Sequence, residues 1–182
     1  TMFAGDAIVS EFQNRTGYLL FPNPVKREVI YLGKYVSTLA IVSLMLVLFY
    51  GVAAVLTAVM TGGGTFLWVY SLLFALCYGA AAAALGFLLS TIFRGSTGSL
   101  VLTFFMLIMI LPMVMMLLWV GDIDTVFILT SAEYVVGGLM NDPYIAEGMA
   151  PDLWASLGVL AAYVAGCLGL GLLLFKRREM VS

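Results

Sequence analysis

Four long stretches of the chain contain no Asp, Glu, Lys or Arg, at about 35–60, 65–93, 99–120 and 153–175. A helix needs about 20 mainly apolar residues to cross the hydrocarbon core of a bilayer, and each stretch reaches that length. Helices satisfy their own backbone hydrogen bonds, as lipid requires. The reading is an all-α polytopic membrane helix bundle with four transmembrane helices, one transmembrane domain over 1–182. Composition agrees: 63% of the 182 residues are hydrophobic and 10% are charged, with a mean hydropathy of +1.11. Soluble domains carry about 45–50% apolar and about 25% charged residues. A domain this small has no interior large enough to hide the excess.

The connections set the orientation. Gly62, Gly63 and Gly64 predict a tight turn that makes the first two spans an antiparallel hairpin. All eight basic residues then sort to one side: Arg15, Lys26, Arg27 and Lys34 before the first span, Arg94 between the second and third, and Lys176, Arg177 and Arg178 after the fourth. The 121–152 loop has six acids (Asp122, Asp124, Glu133, Asp142, Glu147, Asp152) and no base. The positive-inside rule puts both termini and the Arg94 link in the cytoplasm and makes 121–152 an extracytoplasmic loop. The glycosylation pattern Asn14-Arg15-Thr16 falls on the cytoplasmic side and is expected to be unmodified.

Residues 1–34 are the most informative polar segment. Ser10 is a candidate N-cap for a short helix over 11–20, Glu11 lies in its first turn, and Pro22 and Pro24 end it. The order Ser10-Glu11, Thr16, Leu19-Leu20, Pro24-Val25-Lys26-Arg27, Leu32-Gly33-Lys34 resembles the ABC-2 type transporter permeases, which commonly show Ser-Glu, Gly-Thr, Leu-Leu, Pro-Val-Ser-Arg and Leu-Gly-Lys ahead of a membrane helix. Arg15 stands where that family usually has Gly, and Lys26 replaces the common Ser. The link Leu89-Ser90-Thr91-Ile92-Phe93-Arg94, the long loop and the basic tail are also similar. Such permeases usually have six membrane helices. The match places the start of this chain at the end of the second, so the first one to two helices are expected to be missing from this sequence.

The resemblance implies the permease subunit of an ATP-binding cassette transporter, an exporter in a prokaryotic plasma membrane. Its partners would be a separate ATP-binding subunit, a second permease subunit and the bilayer, with no nucleic acid. It implies an ATPase-coupling segment, and that role passes to Glu11, Arg15, Thr16, Leu19, Leu20, Pro24, Arg27 and Lys34. The plainer reading of those charges is a solvated stretch that binds lipid headgroups. The chain itself is expected not to be an enzyme and to need no cofactor. A P-loop requires Gly, four residues, then Gly-Lys-Ser/Thr, but Gly33-Lys34 is followed by Tyr35 and preceded by Glu28 at the first Gly position. The alternative function is a four-helix anchoring or assembly subunit without transport.

Within the spans, no ionisable residue is visible, which argues against a proton- or ion-coupled carrier. With no His and no intramembrane acid pair, an intramembrane enzyme is also disfavoured. Cys77 and Cys167 read as small buried hydrophobes, and no metal site is assigned. Met106, Met109, Met113 and Met116 share one helix face. Thioethers bind Cu(I), but an adaptable apolar stripe is the plainer reading. Pro112 predicts a kink. Small residues recur on the fourth span (Gly158, Ala162, Gly166, with Ala161, Ala165, Gly169) and on the second (Gly79, Ala82, Ala83, Gly86), and they predict close helix packing, chiefly within the chain. Residues 127–140 predict a short helix lying on or dipping into the outer face.

Overall fold

The computed structural model describes residues 27–61, 67–93, 95–139 and 152–177. Among them every regular element is helical: α1 (Arg27–Thr61), α2 (Leu67–Ile92), α3 (Ser96–Phe105), a π-helical turn (Met106–Ile110), α4 (Leu111–Val120), α5 (Ser131–Leu139) and α6 (Leu153–Arg177). α3, the π-turn and α4 make one continuous span. Four helices are long and apolar enough to cross a membrane, and the chain is a multi-pass membrane protein.

α1 begins at Arg27, well before the apolar stretch that starts near Tyr35. Hydropathy marks where lipid begins, whereas helix formation begins where the backbone can hold it. Glu28 lies in the first turn, where the helix dipole favours an acid. Tyr31 and Tyr35, one turn apart, pack inward from the same face.

α2 is the central helix. In its most apolar stretch 56% of residues are buried, against none in that of α1. Its Ala81, Ala82, Ala83, Ala84, Leu85 and Phe87 form the middle of the core. Small side chains let neighbours approach: Val42 and Leu46 of α1 rest against Gly79, where an added Cβ would lie 3.2 Å from Val42 Cγ1. α6 packs along α2 most extensively and runs parallel to it, and α1 runs antiparallel to both. Arg27, Ile92 and Arg177 therefore share one end of the bundle, here the proximal end. Thr61 and Leu67 mark the distal end.

The third span leaves the proximal end through α3, whose Ser99 and Thr103 are buried, with Thr103 Oγ1 donating to Ser99 O at 2.7 Å. The predicted kink at Pro112 takes the form of the π-turn just before it, closed by Leu111 N–H donating to Met106 O. Pro112 has no N–H, and its ring would crowd the Ile108 carbonyl of a regular helix, so the wider turn accommodates it. Beyond it α4 stands largely clear of the other helices. Met109 in the π-turn and Met113 and Met116 on α4 are exposed, and Met115 is buried.

The span stops in a Schellman turn. Ile123 N–H donates to Leu118 O at 3.0 Å and Asp122 N–H to Trp119 O at 3.2 Å, with Asp122 left-handed at φ 54°. Asp is among the few non-glycine residues that visit this region routinely.

Candidate functional site

Two polar loci stand out from the apolar bundle, one at the proximal end and one halfway along it. At the proximal end Tyr31 is fully buried. Its ring meets Phe87 of α2 edge-on with centroids 5.7 Å apart, and Phe175 of α6 at 5.6 Å. One turn on, the Tyr35 ring meets Phe87 at 5.5 Å, and its hydroxyl donates to Ala80 O at 2.9 Å. The Tyr31 hydroxyl sits where Gly171 has no side chain, because a Cβ there would collide with it. It has no hydrogen-bond partner among the described residues. These contacts fasten the first two turns of α1 to both neighbouring helices.

The second locus is built by the chain that returns after α4. Residues 121–124 are exposed, and then Ile128, Leu129, Thr130, Ser131 and Ala132 are at most 3% exposed. Non-helical backbone at membrane depth is tolerated only inside protein or against water, and its groups must be paired. Here Ser131, Ala132 and Glu133 N–H donate to the carbonyls of Ile128, Leu129 and Thr130, at 3.0, 3.2 and 3.0 Å. The Ser131 hydroxyl donates to Ile128 O at 2.7 Å. α5 then packs against α2 and α6. Near its end the Val136 carbonyl, one of the last four that a helix leaves unpaired, accepts from Ser71 Oγ at 3.1 Å. Ser71 also bonds Tyr50 of α1 at 2.9 Å.

The direction of α5 follows from these partners. Val136 meets Ser71, near the distal start of α2, and Glu133 lies close to Tyr78. Tyr78 lies eleven residues beyond Leu67, which at 1.5 Å per residue is about 16 Å along an axis of about 38 Å. α5 is thus a re-entrant helix that starts near the middle of the bundle and climbs back toward the distal end. The predicted helix over 127–140 forms over Ser131–Leu139 and packs against α2 and α6. It brings Glu133 alongside α2, close to Tyr78. Glu133 lies outside the four uncharged stretches, so hydropathy does not point to it. The available signal was the one charged residue within the mainly apolar 126–136 segment.

The model of the family described as Protein of unknown function (DUF2705) matches residues 1–181. The chain belongs to that family. No curated protein matches it.

Most residues of the expected coupling segment in this DUF2705 chain, namely Glu11, Arg15, Thr16, Leu19, Leu20 and Pro24, lie outside the described residues, as do the Gly62–Gly64 turn and Arg94. Arg27 is the first residue of α1, and Lys34 lies on α1 between the two buried tyrosines, half-buried.

Two other expectations are corrected. Cys77 is exposed, on a face of α2 that its neighbours do not cover, and only Cys167 is buried. The small residues of α6 do not pack within the described chain: Gly158, Ala161, Ala162, Ala165, Gly166 and Gly169 are all exposed, and α6 instead turns Ser156, Leu160, Cys167, Gly171 and Phe175 inward. On α2, by contrast, Ala82, Ala83 and Gly86 are buried as expected.

Proposed function

We propose that this chain is the permease subunit of an ATP-binding cassette transporter of the ABC-2 type, an exporter in a prokaryotic plasma membrane with both termini cytoplasmic. It would pair with a second permease subunit and with a separate subunit that hydrolyses ATP. The sequence pattern from Ser10 to Lys34 motivates the family. The observation that carries the mechanism is the unbroken α1, which starts at Arg27 inside that pattern and runs on into the bundle. A displacement of the segment before Arg27 reaches Tyr31 within one turn. There it is shared with α2 and α6 through Phe87, Phe175 and Gly171. Packed interfaces pass on such a displacement as a rigid-body shift because they do not deform continuously. The small-residue face left exposed on α6 suits a second subunit, since such faces let helices approach closely.

The experiment is co-purification from the native membrane followed by ATPase measurement in proteoliposomes. An ATP-binding subunit should accompany the chain. Reversing both Glu11→Lys and Arg15→Glu should remove charge-assisted contacts worth about 1.5–3 kcal/mol and weaken its docking roughly tenfold or more. Recovery of the chain with no ATP-binding subunit, or unchanged docking by the double reversal, would count against the reading.

A further inference from the structure

We infer that the surface of α1 around Lys34 binds the phosphate headgroup of an anionic phospholipid at the proximal face of the membrane. The inference goes beyond the transport reading and does not rest on it. It starts from the register of α1. Residues seven apart on a helix drift by only about 20°, so Arg27, Lys34, Ile41 and Leu48 follow one stripe down the helix. Two basic positions head the stripe. Below them Ile41 and Leu48 are exposed, as are Leu44 and Met45 on either side. Arg27 and Lys34 are about 10 Å apart along the axis, and Leu44 lies about 15 Å beyond Lys34. That second distance is half of a hydrocarbon core of about 30 Å. Charge at the top and open apolar surface beneath it is the order of parts in a phospholipid.

The surface beside Lys34 has room for a headgroup. Lys34 is half-buried, between the packed rings of Tyr31 and Tyr35. A Lys stem lies along apolar surface while its ammonium reaches toward the polar layer. Next to it Gly33 is exposed, and an added Cβ there meets nothing within 4 Å. Ser37, one turn on, is exposed as well, and its hydroxyl donates to Gly33 O at 2.9 Å. The Ser37 oxygen keeps lone pairs for a headgroup hydroxyl. An ammonium, a bare stretch of helix and a hydroxyl thus fall within about one turn.

The charge around this notch is one-sided. The Phe175 ring meets Tyr31 at 5.6 Å, so the backbone of Lys176 and Arg177, which follow it on α6, lies beside the first turns of α1. Glu28, the one acid among the described residues of this end, is about 120° round α1 from Lys34. Basic positions between membrane helices attract anionic headgroups. A soluble phosphate would meet the same charge, but only a lipid also covers the apolar stripe below it.

The test is native mass spectrometry of the full chain in detergent micelles, titrated with dioleoylphosphatidylglycerol and, in parallel, with dioleoylphosphatidylcholine. Phosphatidylglycerol should be retained in preference to phosphatidylcholine. Lys34→Gln should weaken its binding roughly fivefold, and Lys34→Gln with Arg27→Gln roughly twentyfold. Lys34→Arg, which keeps the charge, should retain most of the binding and guards against a folding defect in the Gln variant. Gly33→Leu should weaken binding severalfold by filling the notch, without lowering the unfolding temperature, because the space there is open. Asp124→Asn, in the segment after α4, should bind as the parent does. Inorganic phosphate and glycerol 3-phosphate should not compete. Equal retention of the two lipids would overturn the site and leave these cations to a protein partner. Undiminished binding by Gly33→Leu would overturn it in favour of diffuse attraction to a charged helix end, and competition by the soluble phosphates would overturn it in favour of a free anion.

Discussion

Tyr31 and Gly171 show how a single missing side chain fixes a helix. The Tyr31 hydroxyl occupies the space a Cβ at Gly171 would fill, and that hydroxyl is itself unpaired among the described residues. Gly171→Ala should destabilise the bundle by about 1–3 kcal/mol through overpacking. Tyr31→Phe alone should cost little, because no hydrogen bond is lost, and combined with Gly171→Ala it should restore most of the stability. Thermal unfolding of the four variants in detergent reads this as a non-additive cycle; strictly additive losses would contradict the contact. None of this could be read from the sequence. Gly171 is one of several glycines on the last span, and only the tertiary fit separates it from Gly169, around which an added Cβ meets nothing within 4 Å.

The spanning helices were legible in the sequence, while the short one was legible only in outline. Long runs without charge leave no alternative to a membrane span, so α1, α2, the third span and α6 emerge from composition alone. Where α1 starts was less readable, because Glu28 and Lys34 end the apolar run without ending the helix. α5 has nine residues and an acid in its first turn, too short and too mixed for hydropathy to assign a depth. Its placement depends on Ser71 and Tyr78, far away in sequence. The small-residue pattern on α6 was visible, but whether it faced inward was decided by the larger residues opposite, Leu160 and Phe175. With open space around Gly158 and Gly166, Gly158→Leu and Gly166→Leu should each leave the stability of the isolated chain within about 0.5 kcal/mol of the parent. The same variants should weaken self-association in the bilayer, measured by energy transfer between labelled copies. Unchanged transfer would assign that face to lipid.

For the molecule as a whole, the distribution of charge sets the testable orientation. Among the described residues Arg27, Lys34, Lys176 and Arg177 lie toward the proximal end, and in sequence the 121–152 segment holds acids alone. In intact cells of a strain expressing chains without Cys77 and Cys167, Asp124→Cys should be labelled by an impermeant thiol reagent. Thr97→Cys, at the exposed start of α3, should react only after permeabilisation. The opposite pattern would invert the topology and remove the basis for a cytoplasmic coupling segment. That segment remains the part of the candidate function carried by the residue pattern of 10–34, since the described helices begin only at Arg27.

The break before Pro112 has a mechanical consequence. α4 joins the rest of the third span through one widened turn and stands largely clear of the other helices, so its tilt can change while α1, α2 and α6 keep their packing.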